Sequence, residues 1–244
     1  MVENQFHLIS LIEKCSFVDL THDLDEGIPT WNGSCGFKKE VKMDYDQGVR
    51  VLSYKSHAGI GTHMDAPSHF IRGGKNIADI ALEELIVPLC VLDVSKERNP
   101  DLLISPEDVL QFEKKFGAIP PKSLVLANTG WEKYWSNTVK YRNADAKGKM
   151  HFPGFMAKTA ELLLQRKISG IGIDTLSPDG STDKEGFPVH ELILGAGKYI
   201  LENLCNLGNL PPQGALALVM PMKVVGGAES AIRLVALAEP ENGR

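Results

Sequence analysis

A single mixed α/β domain spanning residues 1–244 is the fold class this sequence predicts. Three observations carry the prediction. Short apolar runs of strand length outnumber helical patterns, helices intervene between them without a strict strand–helix–strand alternation, and no linker, internal repeat or low-complexity tract divides the chain.

In chain order, Phe17–Leu20 is a short apolar run suited to a strand. Residues 23–36, with Pro29 and three glycines, form a loop that carries Trp31. Val49–Ser56 has the β-branched and aromatic content of a strand and leads into a histidine-rich segment. Ile80–Ile86 reads as a short helix and Pro88–Val94 as a buried strand. Ser105-Pro106-Glu107-Asp108 opens a stronger helix, because serine caps, proline suits the first turn and the two acids complement the helix dipole. Gly117 marks its end. Ser123–Ala127 is the next strand, Phe155–Lys167 a helix with leucines on adjoining turns, and Gly170–Asp174 a short strand. Val189–Leu194 follows as a helix, and Tyr199–Leu204, Gly214–Val219 and Ile232–Ala238 supply the late strands. The aromatic stretch Trp131–Trp135 suits either a lid or oligomer contact, or a surface turn packed onto the domain.

Composition narrows the function. Hydrophobic residues at 43% and charged residues at 23% suit a soluble globular enzyme. A net charge of −5, with no basic cluster interleaved with aromatics, argues against nucleic acid or an anionic membrane as partner. The first fifteen residues hold no basic region followed by an apolar run, and no stretch approaches the ~20 apolar residues of a membrane span. Cys15, Cys35, Cys90 and Cys205 are scattered and fit neither a zinc finger nor a compact disulfide framework. The expectation is a cytoplasmic, reduced protein acting on a small molecule.

The chemistry concentrates in one segment. Three of the seven histidines, His57, His63 and His69, fall within thirteen residues, and Asp65 stands two positions after His63. Residues i and i+2 of an extended chain face the same side, so the His63 imidazole and Asp65 carboxylate converge on one cation. The neighbouring glycines and Pro67 suit a chain that turns tightly beside a bound group. Histidine and carboxylate donors suit zinc, manganese or iron, and such a site polarises a carbonyl or ionises water. His69, beyond Pro67, need not ligate and is placed to carry a proton, while Asp65 can bridge two ions if a second position forms. Competing motifs are missing: there is no dinucleotide fingerprint, phosphate loop or serine nucleophile elbow.

Gly61-Thr62-His63-Met64-Asp65-Ala66-Pro67-Ser68-His69-Phe70 resembles the signature His-x-Gly-Thr-His-x-Asp-x-Pro-x-His of the cyclase-like metal-dependent hydrolase family, which includes bacterial kynurenine formamidases and isatin hydrolases. Further matching phrases are Val18–His22, Ile28–Trp31, Gly172–Ser177, His190 with Leu201–Leu204, and Gly226–Arg233. The resemblance implies a β/β/α swivelling-type fold with a central barrel-like mixed sheet, and a homodimer or higher homo-oligomer whose partner helps close the pocket. It implies zinc or manganese, as one ion or two, held by His63, Asp65, His190 and Glu202. It also implies His69 as catalytic acid/base and Trp31 as the aromatic contact to a planar substrate.

The signature's first histidine falls on Gly59 in this chain. His57, six positions before His63, is the nearest candidate ligand. Continued extension would put it on the same face as His63, whereas a bulge at residues 59–61 would bring it in or swing it away. The activity implied is hydrolysis of a carbon–nitrogen bond in an aryl formamide or cyclic amide. Hydrolysis of a lactone or other cyclic ester, and non-catalytic metal or small-molecule binding on the same scaffold, are the alternatives.

Overall fold

The computed structural model describes residues 7–180 and 186–239. Its strands are β1 (Ser16–Asp19), β2 (Phe37–Met43), β3 (Val51–Ser56), β4 (His63–Asp65), β5 (Ile86–Asp93), β6 (Leu103–Ile104), β7 (Leu124–Asn128), β8 (Gly154–Phe155), β9 (Gly170–Ile173), β10 (Tyr199–Glu202), β11 (Gln213–Pro221) and β12 (Glu229–Ala238). The helices are α1 (His7–Ile12), α2 (Pro106–Phe116), α3 (Thr138–Arg142), α4 (Ala157–Gln165) and α5 (Pro188–Gly195).

Strands β12, β11, β5, β7, β9, β10 and β4 are hydrogen-bonded in that order, and β4 also pairs with β12. Seven strands therefore close into a barrel, with β1 added along β12. The run β5–β7–β9–β10 is parallel and the remaining pairings are antiparallel. This is the mixed barrel-like sheet that the resemblance implies.

Alternation along the strands sorts the core into two layers. Leu89, Val91, Leu124, Leu126, Leu201 and Leu234 pack together inside the barrel. Their neighbours Cys90, Leu92, Val125, Ala127, Ile171 and Ile200 face outward, against Val109 and Phe112 of α2, Leu163 of α4 and Ile193 of α5. With both faces covered, these strands read as continuous apolar runs, which is why they are visible in the sequence.

Local signals also hold. Ser105 accepts a hydrogen bond from Asp108 N and caps α2, which stops at Gly117 with φ +98°. Trp131 is buried, and its indole N–H donates to the Tyr141 carbonyl at 2.9 Å, so the aromatic stretch packs onto the domain.

Residues 80–86 depart from expectation. In place of one helix there are two 3-10 turns, Ile77–Asp79 and Leu82–Glu84. Ile86 is already paired with Leu218, so the sheet takes the chain before a full helical turn can form. Helix α1 and strand β2 carried no sequence prediction. β2 pairs with β3 as an exposed ribbon, and its lysines dilute the apolar alternation that would mark a strand. A Cβ on Gly154 would lie 2.1 Å from Gly180 N, so only glycine permits this backbone approach, which seats the loop carrying Asp179.

Candidate metal centre

The site lies on the outer face of β4, where the barrel closes. Met64 points into the inner core, so His63 and Asp65 on either side of it point outward. Glu202 of β10 stands opposite His63, and Glu229 of β12 stands opposite Asp65. Directly opposed residues share a face at about 5 Å, so two neighbouring strands deliver carboxylates to the same patch. His190, in the first turn of α5, arrives from the helical layer above it.

Each imidazole is held by its far nitrogen. His63 Nδ1 lies 2.8 Å from the Gly61 carbonyl, which also accepts from Asn203 Nδ2 at 3.0 Å. Gly61 adopts φ +59°, and a Cβ there would lie 2.4 Å from Leu24 Cδ2, so glycine is required at this turn. His190 Nδ1 lies 2.6 Å from Asp179 Oδ2, and Asp179 also accepts from the backbone N–H groups of Val189 and His190. Both rings therefore present Nε2 to the carboxylates.

His63 Nε2 lies 3.6 Å from Asp65 Oδ1 and 3.3 Å from Glu202 Oε2. His190 Nε2 lies 3.4 Å from Asp65 Oδ2 and 3.3 Å from Glu202 Oε1. Charge-assisted hydrogen bonds are shorter, at about 2.7–2.9 Å. The observed spacing is close to the roughly 3.4 Å that separates neighbouring donors around a tetrahedral ion with bonds of about 2.0–2.2 Å. Candidate donor atoms of His63, Asp65 and Glu202 lie within 4.8 Å of one another, and so do those of Asp65, His69 and Glu229. Asp65 Oδ1 is buried without a hydrogen-bond partner, a costly state that a cation would relieve. A mixed nitrogen and oxygen donor set of this kind fits a zinc- or manganese-class ion.

The electrostatics agree. Burial alone would lower the His63 pKa, but the adjoining Glu202 and Asp65 carboxylates outweigh it and push it up to about 10. Burial likewise opposes a charged His190, yet Asp179, Asp65 and Glu202 push its pKa up to about 12. For Asp65, burial would raise the pKa; the His190 and His63 imidazoles reverse this and hold the carboxyl below its usual range. The carboxylates thus make this patch strongly attractive to positive charge, whether carried by protons or by an ion.

A cavity of about 560 Å³ opens beside the cluster. Trp31, Phe70, Leu176 and Phe187 supply its apolar wall. Trp31 is exposed and leans on Phe187 at 5.8 Å between ring centroids. His69 sits at the cavity edge, with Nδ1 3.6 Å from Glu229 Oε2.

The structure therefore gathers His63, Asp65, His190 and Glu202, and places His69 and Trp31 on the adjoining cavity. It does not bring in His57. β3 ends at Ser56, and His57 is exposed, bonded through its N–H to the Gly36 carbonyl and outside the cavity lining. The left-handed turn at Gly61 breaks the extension that would have kept His57 on the His63 face. Sequence reasoning missed Glu229, Asp179, Phe70 and Phe187. For Glu229 a signal existed, since it is the one acid in the last strand and the signature histidine at position 59 is missing.

Comparison with known proteins identifies relatives of this chain. The family described as "Putative cyclase" matches residues 18–180. Isatin hydrolase of Roseibium aggregatum is 34% identical over 187 residues, covering 72% of this chain and 70% of that protein. Kynurenine formamidase of Bacillus cytotoxicus is 29% identical over 190 residues, covering 77% and 81%. The solved structure of isatin hydrolase A from Labrenzia aggregata, bound to benzyl benzoate, superposes with a TM-score of 0.88 at 31% identity, covering 96% of this chain and 98% of that one.

Proposed function

The chain belongs to the cyclase family of metal-dependent hydrolases, and from that premise we propose that it hydrolyses a carbon–nitrogen bond in an aryl formamide or cyclic amide. The observation that carries this reading is the junction of a buried His/Asp/Glu cluster, containing an unpartnered Asp65 oxygen, with an aromatic-walled cavity that holds His69.

Asp65, His63, Glu202 and His190 are the residues that would hold the cation. When bound, a divalent cation supplies Lewis acidity, which polarises a carbonyl and brings the pKa of a water down to about 7. The protein's own groups do the rest. Trp31, Phe70 and Phe187 present ring faces and edges to a planar aryl substrate and keep water from its apolar side. His69, half-buried at the cavity edge, takes the proton from the attacking water and returns it to the leaving nitrogen. Asp179 fixes the His190 ring, and the Gly61 carbonyl fixes the His63 ring, so that each keeps Nε2 toward the ion.

The test is His69→Ala, read for metal content and for turnover on a panel of N-formyl arylamines, cyclic amides and lactones. The expected result is full metal content with amide hydrolysis reduced by about 10²–10⁴-fold. Undiminished hydrolysis would remove the proton role. A wild-type protein that turns over only the lactones would move the substrate class to cyclic esters, and one that binds metal but hydrolyses nothing would be a binding protein.

A further inference from the structure

Position 59 is glycine, and the space its side chain would enter is already taken. A Cβ built on Gly59 would lie 2.0 Å from Glu229 Oε1 and 3.2 Å from His63 Cδ2. A carboxylate from the last strand thus occupies the volume through which a residue at 59 would approach His63. Strand register explains how it gets there, since Glu229 is paired directly with Asp65 and shares its face. Donor atoms of Glu229 and Asp65 lie within 4.8 Å of each other. Among the described residues no lysine or arginine pairs with Glu229, whose ion-pair neighbour is His69. Asp65 itself keeps one buried oxygen, Oδ1, without a hydrogen-bond partner.

A carboxylate whose one basic neighbour among the described residues is His69, set beside a buried carboxylate with an unpartnered oxygen, is a repulsive arrangement that a cation between the two would relieve. We propose that Glu229 is a cation ligand that substitutes, from β12, for the side chain absent at position 59. With Asp65, whose carboxylate can bridge two ions, it would form a second cation position next to the one bounded by His63, Glu202 and His190. Replacing an imidazole by a carboxylate makes the donor set harder, so this position should favour Mn²⁺ over Zn²⁺ relative to a site with histidine at 59. The inference rests on the metal-binding part of the proposed function and is independent of the substrate.

The experiment needs no substrate. Mn²⁺ is titrated calorimetrically into metal-stripped wild-type protein and into Glu229→Ala, Glu229→Gln, Gly59→His and the double variant Gly59→His/Glu229→Ala, with melting temperature in EDTA as the check on folding. Wild type should take up two equivalents, and both Glu229 variants should lose the second or bind it at least tenfold more weakly, with melting in EDTA unchanged or raised. Gly59→His alone should melt lower, because its side chain collides with Glu229, and the double variant should regain the second equivalent with its preference moved toward Zn²⁺. If the Glu229 variants keep two equivalents at wild-type affinity, or wild type takes up only one, the inference fails while the proposed function stands. A wild-type protein that binds no cation sinks both.

Discussion

Replacing Asp179 by asparagine isolates the contribution of a residue that touches neither ion nor substrate. Asp179 is buried, and its two oxygens divide their work: Oδ1 accepts from Val189 N at 2.8 Å, while Oδ2 accepts from His190 N at 3.1 Å and His190 Nδ1 at 2.6 Å. Asparagine keeps the shape but has only one accepting atom. If its oxygen faces His190, its NH₂ group meets the Val189 N–H. If it faces Val189, the NH₂ meets the His190 Nδ1–H, and the ring must shift its proton to Nε2, the nitrogen that serves the ion. Removing such an orienting partner typically weakens metal binding 10–100-fold, or about 1.4–2.7 kcal/mol. One buried N–H left unpaired at the start of α5 adds a folding penalty of about 1–3 kcal/mol. The measurement is a calorimetric Mn²⁺ titration of wild type and variant, with urea unfolding in EDTA to separate the two effects. A metal affinity within about threefold of wild type would refute the orienting role, even if the variant were less stable.

Two further outcomes follow from the charges. His63 and His190, with pKa values near 10 and 12, both carry a proton at neutral pH in the cation-free cluster, and both must lose it to bind an ion. Apparent cation affinity should therefore rise with pH, by up to about 100-fold per unit between pH 6 and 8, and titrations in buffers of different ionisation enthalpy should report proton release; a pH-independent affinity would contradict this. His22, stacked on Trp135 at 4.0 Å, has its pKa lowered by burial to about 4. Its folded value lies below the unfolded one of 6.5, so this stabilisation is complete above pH 6.5 and is lost as the pH falls toward 4. Discounted for partial exposure, the loss is about 1–2 kcal/mol, and His22→Phe should lessen the fall in urea stability between pH 7 and 4.5 by that amount; an unchanged slope would exclude His22 as the source.

The sequence exposes those parts of the fold where local chemistry and tertiary packing agree. Residues 124–127 and 170–173 sit between two apolar layers, so burial on both faces writes them as runs without a charged or polar side chain. The α2 start is equally local, carried by Ser105, Pro106 and Asp108. The site divides differently. His63 and Asp65 are legible because two ligands on one strand must be two residues apart, but their convergence with His190 and Glu202 rests on pairing between β4 and β10 and on the seat of α5, none of which leaves a period in the chain. Only resemblance to a known family reached those two residues. The resemblance takes in Glu229 within Gly226–Arg233 but gives it no role, because its place beside Gly59, 170 positions earlier, is set by the β12–β4 register.

That register also explains why the site stands where it does. β4 is three residues long, yet it is the strand that closes the barrel, with β10 on one side and β12 on the other. So short a strand offers few ladder hydrogen bonds of its own. Its outward residues are instead His63 and Asp65, faced by Glu202 across one seam and Glu229 across the other, with His190 above. A cation shared among these groups would bridge β4 to both neighbours and to the helical layer at once. Binding that favours the folded state stabilises it by mass action, so a cation held here would reinforce the seams that the short β4 makes with both neighbours. The constraint acts in the other direction too: because the donors belong to three strands and a helix, a slip of one residue in the β12–β4 register would turn Glu229 into the barrel interior and remove it from the site.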